Sequence, residues 1–248
     1  MLAVSSNRTK LYILQMAKHQ VLPARVVYME IPSESTPESQ AVEREAESGG
    51  TTNDNYHGFD LSVPVPDLLE TLGVPFVSVD SLDPNSELVV NAVAQCQQSI
   101  LIYSGPGGAI LRKQILSTGK RFLHTHSGIL PFFRGSTTVY YSLLKEGDCG
   151  ATAFFMDEQI DTGHLIRTQR FPAPQDRTTI DLYYDPLIRS QLLVEVLQEY
   201  VRSGEMPVVP QDSLVGDTYY IIHPVLKHIA ILAGQMDQTP LESGKRHS

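Results

Sequence analysis

Two hydrophobic rhythms alternate along this chain. Short apolar runs at 25–29, 75–79, 99–103, 121–126 and 151–156 have strand length. Between them, apolar residues recur at helical spacing, as at Leu88, Val89, Ala92, Val93 and Cys96. Unbroken runs such as 99–103 suit strands buried on both faces, and strands alternating with amphipathic segments predict an α/β fold. The expected architecture is a mostly parallel sheet with helices on both faces. Residues 2–4 read as a short first strand, and Ser5, Ser6 and Asn7 as a cap for a helix starting near Arg8, with Pro23 beyond its end. Helices are expected at 65–72 and 87–98, and another from the glycine-rich turn at 104–109 through about residue 117. Ser136 to Thr138 read as the cap of a helix carrying Val139, Tyr140, Leu143 and Leu144. The run 164–171 predicts a strand antiparallel to 151–156, because the turn between them is too short for a crossover. A long helix spans 178–202, kinked or divided by Pro186. Beyond it, 207–211 reads as extended, 217–222 as a strand and Pro224 as a helix start.

Two segments break the pattern. Residues 31–57 shift to Ser, Glu, Thr, Pro and Gly, a composition that buries too little apolar surface to offset its ordering entropy, so a flexible surface loop is expected. The last dozen residues are polar and expected to be disordered. The expected organisation is one catalytic domain over 1–203, a short C-terminal extension over 204–236 and a tail over 237–248.

Composition narrows the partners. A net charge of −9 without clustered Lys and Arg argues against a nucleic-acid partner. The opening apolar run is too short for a signal peptide, and no segment approaches a membrane span of roughly 20 apolar residues. Cys96 and Cys149 form neither a metal-ligand spacing nor a disulfide framework, which fits a reduced, cytoplasmic setting and a soluble protein.

The chemistry concentrates between Arg121 and Gly163. Residues two apart on a strand share a face, so His124 and His126 project together. Sites on parallel sheets collect at the carboxyl ends of strands, which would bring Asp161 to the same rim. Two imidazoles facing a carboxylate make a proton-handling site. A metal-dependent hydrolase is the chemical rival, since His-x-His at a strand end also serves metals, with His164, His223 and His228 as further candidates. The duller reading is a histidine satisfying a local hydrogen bond and an aspartate stabilising the turn before Gly163. The glycines of Ser104-Gly-Pro-Gly-Gly-Ala109 match neither a Walker loop nor a dinucleotide fingerprint, and by themselves fit a simple tight turn equally well.

Three motifs in order then change the picture: His126-Ser-Gly-Ile-Leu-Pro131, Phe133-Arg-Gly-Ser136 and Met156-Asp-Glu-Gln-Ile-Asp-Thr-Gly163. Together they resemble the folate-dependent formyltransferase family, whose members include methionyl-tRNA, glycinamide ribonucleotide and nucleotide-sugar formyltransferases. The resemblance covers 99–171 closely and implies a Rossmann-like domain that moves a formyl group from 10-formyltetrahydrofolate to an amine. The family's catalytic histidine falls on His126 and its aspartate on Asp161. Its asparagine falls on His124, a departure that implies either an altered pH profile or a relative with lost or changed activity. The resemblance further implies co-substrate contacts from Tyr103, Gly105, Gly107, Gly108, Ala109, Ile110, Asp157 and Ile160. Acceptor contacts would come from Ser127, Gly128, Arg134, Gly135 and Ser136. Only 44 residues follow Gly204 and they are not conspicuously basic, which favours a small amine acceptor, such as a nucleotide-linked or phosphorylated amino sugar, over tRNA. A catalytically silent folate-binding or interaction protein is the second reading, and a homodimer is compatible with either.

Overall fold

The structure, a computed structural model, describes residues 1–31, 55–56, 58–212 and 214–236. The expected loop at 31–57 and the expected tail therefore lie outside the described residues, except at Ile31, Asn55 and Tyr56.

A seven-stranded sheet in the order β10-β9-β7-β6-β1-β2-β5 forms the centre of the molecule. Its strands are β1 (Leu2–Val4), β2 (Val26–Glu30), β5 (Phe76–Asp80), β6 (Ile100–Ser104), β7 (Arg121–His126), β9 (Cys149–Phe155) and β10 (Leu165–Phe171). A short hairpin joins β3 (Asn55–Tyr56) to β4 (Phe59–Asp60). β5, β2, β1, β6 and β7 are parallel neighbours, while β9 runs antiparallel to both β7 and β10. Burial explains the composition of the inner strands: Leu2, Ala3, Val26, Val27, Met29, Phe122 and Leu123 have no solvent exposure.

Each face of the sheet is covered by helices. On one face, α1 (Asn7–Lys18), α2 (Val65–Thr71) and α6 (Asp185–Ser203) bury Tyr12, Ile13, Met16, Leu69, Leu192 and Leu193 against the sheet. On the other, α3 (Glu87–Ala94) and α4 (Lys113–Leu116) contribute Val89, Val93 and Ile115. Ser6 caps α1 by accepting the Thr9 N–H, as the sequence pattern led one to expect. Ser86 does the same for α3 at Val89.

Several elements differ from expectation. The helix after the glycine turn is one turn only, Lys113–Leu116. Asn85 holds the intervening loop instead, donating to the Ile110 carbonyl and accepting the Arg112 N–H. The helix at 87–98 stops at Ala94. The helix α5 (Thr138–Glu146) starts from Thr137 in a left-handed conformation without a side-chain cap. Thr137 Oγ1 is committed elsewhere, donating to the Ser136 carbonyl and accepting the Ile222 N–H. At Pro186 the second of the two expected outcomes is seen, a divided helix rather than a kinked one. The proline sits in the first turn of α6, after a π-helical turn at Ile180–Tyr184. An early proline needs no N–H there and its fixed φ suits the start.

The C-terminal segment completes the wall of the site. β11 (Asp217–Tyr219) pairs in parallel with β8 (Phe133–Gly135), and Ser136 N–H donates to Tyr219 O at 2.8 Å. Helix α7 (Pro224–Met236) packs on α5 through Ala230, whose carbonyl accepts from Arg177. Among the described residues no helix is long and apolar enough to cross a membrane.

Candidate active site

Strand order reverses between β1 and β6, since the chain leaves β1 to add strands on one side and later places β6 on the other. Ligand sites in open α/β sheets form outside the carboxyl ends at such a reversal. A cavity of about 300 Å³ opens there, between the loops after β1, β6 and β7, the 156–161 turn and the β8–β11 wall.

Both histidines reach this cavity from β7, with different neighbours. His126 is 5% exposed. Its Nε2 lies 2.7 Å from Phe133 O and 3.2 Å from Thr138 Oγ1. A carbonyl only accepts, and Thr138 spends its own proton on Ser127 O, so these partners assign the hydrogen to Nε2. Nδ1 is left facing Asp161 Oδ2 at 3.5 Å. A proton on Nδ1 turns that contact into a charge-assisted hydrogen bond to the carboxylate.

Asp161 arrives by a route other than the expected one. Because β9 is antiparallel to β7, its end leads away from the carboxyl rim, and the chain must turn back to reach it. Asp161 makes that turn with φ of +54°. Its Oδ2 accepts the Gly135 N–H at 2.8 Å and its carbonyl accepts from Gln211 at 3.0 Å. Backbone strain of this kind persists only when surrounding contacts enforce it. Gly135 itself has φ of +101°, and a Cβ there would lie 2.0 Å from Tyr219 O, so no side chain fits between β8 and β11.

His124, at the same cavity, is enclosed by different partners. The β6–β7 pairing ends at Ile102 and Leu123, and the next carbonyl of β6, that of Tyr103, faces His124 Nδ1 at 3.2 Å. Nε2 faces Arg189 Nη2 at 3.3 Å. A guanidinium only donates and a carbonyl only accepts, so the ring is neutral with its hydrogen on Nδ1. Burial, then the cations Arg189 and Arg8, hold its pKa well below the ordinary imidazole value against the pull of the Tyr103 carbonyl. The rings of Tyr103 and Phe154 meet it edge-on at 5.7 and 5.8 Å.

Sequence reasoning missed both arginines. Arg8, in the first turn of α1 at the strand-order reversal, donates through Nε to Ser104 Oγ at 3.2 Å and through Nη2 to Gly105 O. Arg189 donates through Nε to Thr125 O at 2.7 Å and through Nη1 to Asp185 at 3.1 Å. Burial works against its charge, but Tyr12 and Asp185 outweigh it and raise its pKa. The available signals were an i,i+4 Asp–Arg pair on the apolar stripe of a helix, and a cation just beyond the first strand.

Of the expected co-substrate residues, Tyr103, Gly107, Gly108, Ala109, Ile110, Asp157 and Ile160 line the cavity. Gly105 does not; a Cβ there would strike the Tyr103 ring at 2.5 Å, so its smallness serves packing. On the expected acceptor side, Ser127, Gly135 and Ser136 line the cavity, while Gly128 and Arg134 do not. Gly128 clears space for the His126–Phe133 bond, with a Cβ position 2.9 Å from His126 Nε2. Arg134 is buried and donates to Gly216 O, which ties β8 to the turn before β11. Among the described residues no cluster of three or more His, Cys, Asp or Glu could hold a metal ion. His124 and His126 each spend a ring nitrogen on a backbone carbonyl.

A parallel-centred sheet with a His–carboxylate pair and a cavity at its strand-order reversal defines an α/β domain with one candidate site at that reversal. Residues 80–193 match the family model described as formyl transferase. A methionyl-tRNA formyltransferase from Listeria monocytogenes is 27% identical over 153 residues, 60% of this chain and 47% of that protein. The chain thus spans about half the length of the curated relatives it matches. Two N-formyltransferase structures share the fold, the first of them a sugar N-formyltransferase. One from Shewanella has a TM-score of 0.54 at 18% identity, covering 94% of this chain and 86% of that one. The other, an N-formyltransferase from Helicobacter canadensis in complex with folinic acid and dTDP-3-aminofucose, has a TM-score of 0.54 at 15% identity, covering 88% and 69%.

Proposed function

We propose that this protein transfers a formyl group from 10-formyltetrahydrofolate to the primary amine of a small acceptor, a nucleotide-linked or phosphorylated amino sugar. The observation that carries this reading is the His126–Asp161 pair, 3.5 Å apart at the cavity and far apart along the chain. The amine nitrogen attacks the formyl carbon, a C–N bond forms, and the carbonyl oxygen takes up negative charge that needs nearby donors. The attacking nitrogen must then lose a proton, and the His126 Nδ1–Asp161 Oδ2 pair is the acceptor at hand. The bond between the formyl carbon and the folate nitrogen breaks last, and that nitrogen leaves protonated as tetrahydrofolate. Gly107 to Ile110 and Asp157, Gln159 and Ile160 line the same cavity and are the surfaces assigned to the folate heterocycle.

The acceptor side is built from Ser127, Ser136, Thr218, Tyr219 and Tyr220. Because β11 belongs to the described C-terminal segment and closes this wall, the segment serves the acceptor site of a compact domain. That favours a small acceptor, as do a solved sugar N-formyltransferase and a solved N-formyltransferase in complex with dTDP-3-aminofucose, each of which covers most of this chain.

One observation favours the silent folate-binding reading: both ring nitrogens of His124 are already engaged, so the imidazole cannot donate as an asparagine amide would. Purified protein incubated with 10-formyltetrahydrofolate and a panel of nucleotide-linked amino sugars should release tetrahydrofolate only with an acceptor present. Tight folate binding with no release across the panel would establish the silent reading instead.

A further inference from the structure

We propose that Arg189 supplies the side-chain hydrogen-bond donor to the formyl oxygen, and that His124 is a neutral positioning residue that aims it. This rests on the formyl-transfer reading above and goes beyond it by assigning the donor at the position where the resemblance would place an asparagine.

The inference follows from counting hydrogens. An asparagine amide at position 124 would bring two N–H donors to the cavity. The imidazole brings none, because its only hydrogen goes to Tyr103 O and its lone pair at Nε2 is taken by Arg189. Of the four terminal N–H groups of Arg189, one goes to His124, one to Asp185 and one to Tyr12, which leaves one on a guanidinium that lines the cavity. The guanidinium cannot swing away. Its Nε is fixed to the β7 backbone at Thr125 O and its Nη1 to Asp185, four residues earlier on α6. Its side chain is about 10% exposed. A donor held this rigidly costs no reorganisation when charge develops on the substrate oxygen.

His124 sets the remaining degree of freedom, the plane of the guanidinium about Nε. Its own ring is held between the edges of Tyr103 and Phe154. The replacement of asparagine by histidine is then an exchange of one donor for another, routed through a second side chain. In the reaction, electrons move from the attacking amine to the carbonyl oxygen, which Arg189 stabilises. They return to expel the folate nitrogen, which takes a proton, while the amine proton passes to the His126–Asp161 pair.

The test compares binding of a stable N10-formyl folate analogue with the same analogue lacking its formyl group. Wild-type protein should favour the formylated compound. Arg189→Lys keeps the charge but loses the planar fork, and should erase most of that preference, about tenfold, with the unformylated compound bound within about twofold of wild type. His124→Phe keeps both ring-edge contacts but lacks Nε2. It should lose part of the preference and lower kcat with little change in KM. Nitrogen-15 NMR of wild-type protein at neutral pH should show His124 with hydrogen on Nδ1 alone. A retained preference in Arg189→Lys beside a lost one in His124→Phe would overturn the assignment in favour of His124, as would hydrogen found on Nε2. If wild-type protein binds neither analogue, the formyl-transfer reading itself fails, and the NMR result alone decides the Arg189–His124 arrangement. Circular dichroism of each variant separates these outcomes from misfolding.

Discussion

The two walls of the cavity start from the same residue type, two positions apart on one strand, and handle charge in opposite ways. On the His126 side one ring nitrogen is pinned and the other faces a carboxylate, so a proton can be taken up and passed on. On the His124 side both nitrogens are pinned and the neighbours are cations, so protonation is suppressed. A shared strand face gives two side chains one address, and their hydrogen-bond partners then give them different chemistry. The first wall can move protons; the second can only hold a fixed positive potential.

The contrast breaks most completely at Asp161. In Asp161→Asn, the amide oxygen still accepts from Gly135 N–H, so the turn keeps its anchor, but the proton acceptor is gone. Formyl transfer should fall by roughly 10²–10⁴ in kcat, read as tetrahydrofolate release, with the thermal midpoint little changed. A variant retaining more than about a tenth of wild-type turnover would remove Asp161 from the chemistry.

Gly135 tests whether the first wall depends on the C-terminal segment. In Gly135→Ala the new methyl group meets Tyr219 O, and the backbone sits where L side chains are strained. The β8–β11 pairing should open and the Asp161 anchor loosen, at a cost of at least about 2 kcal/mol in urea unfolding. Acceptor KM should rise more than co-substrate KM, because Thr218 and Tyr219 belong to the displaced strand.

The second wall makes its prediction through pH. The unfolded chain protonates His124 near its ordinary value of about 6.5, whereas the folded protein resists until well below it. Between those two values the unfolded state binds the extra proton, so stability falls as pH falls, and above about 6.5 the group contributes nothing. Unfolding free energy should therefore drop by about 1.4 kcal/mol per pH unit on this group's account, and His124→Phe should remove that part of the slope. An unchanged slope would mean that His124 titrates normally in the folded protein.

The sequence exposed the parts of this site that local pattern controls. β7 was legible residue for residue because its apolar positions and its paired histidines share one strand period. The His126 and Asp161 assignments came from motifs, although the reason given for Asp161's arrival, a parallel carboxyl end, was not the one observed. What stayed hidden depends on contacts between distant segments. Arg8 meets Gly105, Arg189 meets His124, and β8 pairs with β11 more than 80 residues later. No local periodicity encodes such meetings. The same limit explains Thr137: a Thr beside a helix start reads as a cap, yet its hydroxyl accepts from Ile222, 85 residues away.

Arg134 offers the smallest effect and the finest discrimination. It follows Phe133 in a motif whose resemblance implied an acceptor contact at Arg134, but its Nη2 donates to Gly216 O and its side chain is buried outside the cavity lining. If it braces the β8–β11 wall, Arg134→Met should preserve the aliphatic packing while losing a charged donor to a carbonyl, a change worth about 1–3 kcal/mol in stability. Acceptor KM should stay within about twofold for phosphorylated and unphosphorylated amines alike, since a wall that stays closed presents the same Ser136 and Tyr219 surface. A larger rise confined to phosphorylated acceptors would place Arg134 on the anion, and would require the guanidinium to leave Gly216 when the acceptor arrives.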